Sequence, residues 1–178
     1  MDSYKIVGRE EIYTGRIVRV LLDDITLPNG KVAKREIVLH HHEGVGILPV
    51  DSDGGIFLVR QYRHPLFTHV LEIPAGTAET GESPETCACR ELEEEIGYRA
   101  GKLTFLVAAN NTVGVSNDKI HLYVAEGLTK TSQNLDADEF LEVEKYSMND
   151  CERMIATGEI IDSKTILAIF AYKLMLRE

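Results

Sequence analysis

An α/β layered domain is what this 178-residue sequence predicts, and three observations predict it. The first is a series of short β-branched and aliphatic runs separated by turn residues. The second is one well-punctuated helix in the middle of the chain. The third is a pair of helices at its end. Strands mixed with helices around one core give a layered α/β or α+β architecture. A chain of this length is enough for one domain with a sizeable core.

The elements follow in order. The first forty residues read as strands. IYTGRIVRVLLDDITL is rich in Val, Ile and Leu, and the Asn-Gly pair in LPNGK is a hairpin turn. KVAKREIVLHHH returns as a partner, so residues 12–40 predict a hairpin or meander. GVGILPV, GIFLVRQYR and THVLEIPAG follow as short strands, and Asp51-Ser52-Asp53-Gly54-Gly55 is a turn between two of them. Ser83 suits an N-cap and Pro84 the first helical position, so a helix is predicted from there to Ile96, with Gly97 as its stop. KLTFLVAA and KIHLYVAEGL predict strands around the loop NNTVGVSND. TKTSQNLDADEF reads as a polar loop and FLEVEKYS as a strand. Helices over 148–157 and 163–176, broken at Gly158, finish the chain, and Ser163 suits the N-cap of the second.

Composition narrows the function. A net charge of -10 lacks the cationic footprint that nonspecific nucleic-acid binding needs. It leaves room for a small phosphate ligand, because a metal ion supplies positive charge locally. No apolar run reaches the ~18 to 20 residues of a membrane span, and MDSYKIVGREE has no apolar signal-peptide core. Cys87, Cys89 and Cys151 form no Cys-x-x-Cys pair, which fits a reducing cytoplasm. Cys87 and Cys89, two apart on a helix, face different directions and read as packing residues.

The stretch PAGTAETGESPETCACRELEEEIGY, residues 74–98, carries the chemistry. At helical spacing Glu91, Glu94 and Glu95 share a face and Glu93 turns away. Converging carboxylates repel unless a cation joins them, and hard oxygen ligands suit Mg²⁺ or Mn²⁺. A solvated acidic face is the other reading of ELEEE taken alone.

The spacing decides between them. Gly76, five residues, Glu82, seven residues, then Arg90-Glu91-Leu92-Glu93-Glu94-Glu95-Ile96-Gly97-Tyr98 resembles the Nudix hydrolase signature at every defined position. The resemblance implies an α/β/α sandwich around a mixed sheet. It also implies Mg²⁺-dependent hydrolysis, with Mn²⁺ as a substitute, of a nucleoside diphosphate linked to another group. It makes Glu91, Glu94 and Glu95 metal ligands, with the Ala75 carbonyl and Glu82 beside them, and has Arg90 orient the glutamates.

The segments TGRIVRVLLDDITLPNGKVAKREIVLHHHEGVGILPV, FLVRQYRHPLFTHVLEIPAG and GEIIDSKTILAIFAYKL look like ADP-ribose pyrophosphatases within that family. The implied substrate is ADP-ribose, cleaved to AMP and ribose 5-phosphate. Arg35, Arg60, Arg63 and Glu72 match its substrate-binding positions, and arginine planes suit both diphosphates and adenine. The subfamily's Ser-Pro-Gly stands here as Thr112-Val113-Gly114, with Gly114 retained. This departure bears on substrate identity, and related dimeric members cleave GDP-mannose or other nucleotide sugars. The resemblance further implies a homodimer joined through an N-terminal strand region, 1–43, beside a hydrolase domain over 44–178. Each partner would contribute to the other's substrate site. The resemblance also implies a general base from a downstream loop, Asp136 to Glu142, with Glu139 the candidate, as base or extra metal ligand, and Glu94 the alternative base; a solvated acidic loop is the other reading of that stretch. A nucleotide-sensing module without turnover is the competing class, which intact Glu91, Glu94 and Glu95 disfavour.

Two other features have plainer readings. His40 and His42 share a strand face opposite His41, with no further ligand at site-like spacing, and read as strand-end packing or solvent-exposed residues. Tyr62, Phe67 and Phe105 read as core residues.

Overall fold

The computed structural model describes residues 4–137 and 139–177. The chain divides into two compact units. The first holds the described residues up to Glu43 together with Asn110–Lys119. The second holds Gly44–Ala109 and the chain from Ile120.

In the first unit, β1 (Lys5–Thr14), β2 (Val18–Thr26) and β3 (Val32–His40) form an antiparallel meander with β2 in the centre. The Asn29-Gly30 pair turns β2 into β3, and the Gly30 amide donates to the Leu27 carbonyl at 2.8 Å. Buried Asp23 on β2 is held by Arg9 on β1 through two bonds of 2.6 and 2.7 Å. The 110–119 loop joins this unit: the Val38 amide donates to the Val115 carbonyl at 2.8 Å, and the His40 amide to the Asn117 side chain at 2.7 Å.

The second unit runs β4 (Gly44–Pro49), β5 (Ile56–Arg63), a 3₁₀ turn at His64–Leu66, β6 (Thr68–Glu72), β7 (Ala75–Thr77), α1 (Pro84–Ile96), β8 (Tyr98–Arg99), β9 (Lys102–Asn110), β10 (Lys119–Glu126), β11 (Thr129–Lys130), β12 (Leu141–Tyr146), α2 (Met148–Thr157) and α3 (Ser163–Met175). One sheet has the order β7-β4-β10-β9 and is mixed: β10 is parallel to β4, and β7 antiparallel to it. A second has the order β12-β5-β6, antiparallel throughout.

The layering follows from the period of two along a strand. On β4 and β10, Leu48, Ile120, Leu122 and Val124 pack with Cys151 and Met154 of α2 and Ala168, Ile169 and Tyr172 of α3. The alternate residues, Val45, Ile47, Tyr123 and Ala125, pack with Cys87, Ala88, Leu92 and Ile96 of α1. β5 splits the same way, Ile56 and Leu58 against Phe57 and Val59. Helices therefore cover both sides, and the unit is the expected α/β/α sandwich around a mixed sheet. Burying each such aliphatic side chain contributes about 1.5–3 kcal/mol. Truncating Leu92, which has no exposed surface, would cost about 2–5 kcal/mol.

Four local expectations are corrected. The N-cap of α3 is Asp162, whose side chain accepts from the Thr165 amide, and Ser163 is the first helical residue. A carboxylate there also complements the positive helix end. The stretch expected to be loop begins with Thr129–Lys130, a short strand paired with Tyr98–Arg99. Tyr62, Phe67 and Phe105 are exposed rather than core: Tyr62 and Phe105 point outward from β5 and β9, and Phe67 caps a 3₁₀ turn that buries no residue. Cys87 packs in the core as expected, but Cys89 is exposed.

Candidate active site

The site is built on α1, and its caps fix the register. The Ser83 hydroxyl accepts from the Thr86 amide at 3.1 Å, Pro84 opens the helix, and Gly97 closes it with φ 69°. With that register Leu92 and Ile96 enter the core, and Glu91 and Glu95, one turn apart, are drawn inward with them. Glu91 is 8% exposed and Glu95 2%. Glu94 lies at the rim. Glu93 points elsewhere and pairs with Arg99 at 2.8 Å, as its helical position requires.

β7 forms the facing wall. The Ala75 amide donates to Glu95 Oε2 at 3.1 Å. At Gly76 the approach is closer still: a Cβ there would lie 1.9 Å from Glu91 Oε1 and 2.0 Å from its carboxyl carbon. Any larger residue there would have to displace that carboxylate.

Arg90 gathers the acids. Its Nε and Nη2 donate to the two oxygens of Glu82, both at 3.1 Å, while Nη1 donates to Glu91 at 2.8 Å and to Glu94 at 2.9 Å. One planar fork thus ties three carboxylates from a loop and a helix. The bond to Arg90, helped by the Glu79 amide, holds the Glu82 carboxyl down to about 2. The other acids are less well served. Burial pushes Glu91 up against the pull of Arg90. Burial pushes Glu95 up to about 8, and the charges of Glu91 and Glu139 add to this against the Ala75 amide.

The cluster therefore has a deficit of positive charge. Arg90 serves Glu82, Glu91 and Glu94, whereas Glu95 feels the like charges of Glu91 and Glu139 and only a weaker pull from Arg63. All donors are hard oxygens, which fits a divalent cation such as Mg²⁺ or Mn²⁺. Among the described residues no three acids already close around a single point; the Arg90 fork and the Ala75 amide hold them instead.

The remaining site residues fall in three places. Arg63 and Glu72 are bonded to each other, Nε to Oε1 at 2.7 Å and Nη2 to Oε2 at 2.8 Å, with Glu72 2% exposed. Arg60 pairs with Glu144. Arg60 and Glu139 line one cavity of about 590 Å³, with His69, Leu135, Phe140 and Glu142. Glu139 is held locally, its amide donating to the Asp136 carbonyl at 3.0 Å. Asp138 in that loop lies outside the described residues. Arg35 and Gly114 belong to the first unit. Arg35 is exposed on β3 and donates to the Lys34 carbonyl at 2.8 Å, and Gly114 lies in the turn where the Val115 and Ser116 amides reach the Thr112 carbonyl.

Two contributors escaped the sequence reading. The loop ahead of Glu139 is bonded to the C-terminal end of α1: Thr131 N to the Gly97 carbonyl at 2.7 Å, Gln133 Nε2 to that of Glu95 at 2.6 Å, and Asn134 N to that of Glu94 at 3.0 Å. These carbonyls have no partner inside the helix and need donors from elsewhere, but nothing in a polar loop says which of its residues supply them. The second is Lys164, which reaches Glu72 across 92 positions of sequence.

Comparison with known proteins agrees with this geometry. Residues 40–168 match the NUDIX domain, and residues 4–38 match the nucleoside diphosphate sugar hydrolase N-terminal domain. The chain is 41% identical over 167 residues to an ADP-ribose pyrophosphatase of Bacillus subtilis (strain 168), covering 93% of this chain and 90% of that one. It is 40% identical over 167 residues, with the same coverage, to the methanol dehydrogenase activator of Bacillus methanolicus. Its fold superposes with a TM-score of 0.91 on the crystal structure of an ADP compounds hydrolase, at 25% identity and covering 99% and 96% of the two chains. The chain belongs to the Nudix family.

Proposed function

We propose that this Nudix hydrolase splits the diphosphate of ADP-ribose with water, giving AMP and ribose 5-phosphate. The observation that carries the reading is the buried carboxylate cluster of α1, packed against Gly76 and short of positive charge, in a chain 41% identical to an ADP-ribose pyrophosphatase. Glu91, Glu94 and Glu95, with the Ala75 carbonyl, would hold Mg²⁺, or Mn²⁺ in its place. When bound, such an ion neutralises phosphate charge and lowers the pKa of water.

The chain's own groups do the rest. Arg90 keeps Glu82, Glu91 and Glu94 in one array. Arg63 and Arg60 offer planar donors to the phosphate oxygens and the base, with Glu72 beside them, and Arg35 and Gly114 of the first unit would contribute to the substrate site of a partner copy. Glu139, or Glu94 in its place, takes the proton from the attacking water as its oxygen bonds to phosphorus and the bridging oxygen leaves with the other phosphate. A positioned base contributes ~10² to 10⁴-fold.

We further propose a homodimer in which 1–43 is the assembly region and 44–178 the hydrolase domain. Exposed Ile6, Val7, Ile12 and Tyr13 on β1 support this. Light scattering should give about 40 kDa, twice the 19.9 kDa chain. The three free cysteines favour a reducing cytoplasm. A GDP-mannose or other nucleotide-sugar substrate would keep the same chemistry, and Thr112-Val113-Gly114 is the feature that favours it.

Glu95→Gln separates hydrolysis from sensing. It should lower turnover of ADP-ribose at least ~100-fold, since a ligand made for the reacting centre is lost. A nucleotide sensor would show no turnover in the parent and an unchanged ligand response in the variant.

A further inference from the structure

The first turn of α3, Asp162-Ser163-Lys164-Thr165, has no part in the reaction as written above, yet it is heavily bonded. The Asp162 carboxylate accepts from the Thr165 amide at 3.0 Å and from its hydroxyl at 2.5 Å. The fully buried Thr165 hydroxyl in turn accepts from the Ile73 amide at 2.8 Å, at the end of β6. These bonds cap the helix and dock it on the strand. They leave Lys164 unexplained. Its ammonium is bonded to Glu72 and lies 3.1 Å from Asp162.

Glu72 already has a complete partner. Arg63 grips both its oxygens, and a bidentate pair is neutral. A second cation on the same buried carboxylate costs the desolvation and ordering of a long side chain. What it adds is a fixed direction. With Lys164 on Oε2, the Glu72 carboxylate cannot turn about its terminal torsion, and Arg63 takes its plane from that carboxylate. The Arg63 guanidinium has one edge left. Its Nε and Nη2 are spent on Glu72, and among the described residues Nη1 makes no hydrogen bond. Arg63 also feels the charges of Glu95 and Asp162. It shares a cavity wall with the start of α3. A cavity of about 380 Å³ opens there, lined by Arg63, Leu66, Glu72, Asp162 and Lys164.

We propose that Lys164 is a positioning residue for Arg63: by holding Glu72 it fixes the guanidinium so that the Nη1 edge is presented to an oxygen of the diphosphate substrate. The inference rests on the reading of Arg63 and Glu72 as substrate contacts. It assigns to α3 a direct influence on substrate binding, distinct from its place in the core. Asp162 supports Lys164 and cancels its charge, so the four groups do not become a general anion trap.

Lys164→Met and Lys164→Arg test it in the full-length chain. Proton exchange at the Arg63 Nε–H, assigned by its disappearance in Arg63→Lys, reads the positioning without any turnover. Exchange should be slow in the parent and in Lys164→Arg, and at least ~10-fold faster in Lys164→Met, the loss of one charge-assisted bond being worth about a factor of ten. The KM for ADP-ribose should rise roughly tenfold in Lys164→Met with kcat within about threefold, and Lys164→Arg should restore it, because the lost interaction is one of binding. A merely structural lysine would lower the melting temperature and leave both exchange and KM unchanged, which overturns the inference. Faster exchange with an unchanged KM also overturns it. No turnover of any nucleoside diphosphate sugar by the parent would sink the proposed function instead, and the Arg63 exchange would still decide the positioning.

Discussion

The carboxylate of Glu91 occupies the space that a side chain at position 76 would need: a Cβ on Gly76 would sit 1.9 Å from Glu91 Oε1. The backbone of β7 meets the end of a side chain from α1 here, and the first glycine of the signature leaves room for that contact. Gly76→Ala should displace Glu91 while leaving the α1 caps and the core contacts of Leu92 intact. Activity should fall at least ~100-fold, the usual result of misplacing a reacting group by about 1 Å. Kinetics and far-ultraviolet circular dichroism together check this. An active Gly76→Ala protein would show that the Glu91 position is not needed.

Arg90 is the hub of the acidic array, and its geometry matters as well as its charge. Arg90→Lys keeps one positive charge but cannot reach Glu82, Glu91 and Glu94 from one plane. Turnover should drop more than ~10-fold with a modest loss of stability. Arg90→Met leaves the largely buried Glu91 without its partner, and breaking such a pair costs about 3–5 kcal/mol. Urea unfolding of the two variants in chelator separates the effects. Equal stability and equal activity in both would contradict the assigned role.

The buried acid gives a pH signature. Glu95 is raised from its ordinary 4.5 to about 8 by burial above all. Between those values the unfolded chain has released this proton and the folded chain has kept it, so the metal-free fold loses stability as pH rises from about 4.5 to 8. Glu82 works in the opposite sense, but its carboxyl, held near 2, delivers its whole contribution by about pH 4.5 and adds no slope above that. In chelator the melting temperature should therefore fall from pH 5 to 8, by about 2–4 °C for each kcal/mol lost. Glu95→Gln should flatten the profile. A melting temperature that rises over the same range would contradict the burial of an uncompensated carboxylate.

The sequence declared most of this framework, because the relevant signals are local. Ser83 and Gly97 cap α1 through bonds to near neighbours and Pro84 presets its first turn, and that register puts Glu91, Glu94 and Glu95 on one face and sends Glu93 to Arg99. The alternation along β4 and β10 sorts residues between the two core faces for the same reason. What escaped depends on partners far away in the chain. Nothing near Lys164 announces Glu72, and nothing near Gln133 announces the Glu95 carbonyl. Asp162 and Ser163 are both good capping residues, and only the backbone decided for Asp162. Phe67 and Phe105 are hydrophobic enough for the core, but one caps an exposed turn and the other points outward from β9, a difference that composition does not carry.

The most direct test of the account is release of AMP from ADP-ribose by the purified chain, followed by chromatography with Mg²⁺ and with chelator, beside GDP-mannose, NADH and diadenosine polyphosphates. The account predicts chelator-sensitive formation of AMP and ribose 5-phosphate, with ADP-ribose well ahead of the others. Preference for another nucleotide sugar would keep the chemistry and replace the substrate. Turnover undiminished by chelator, or none on any member of the panel, would contradict the central claim that the α1 carboxylates serve metal-dependent diphosphate hydrolysis.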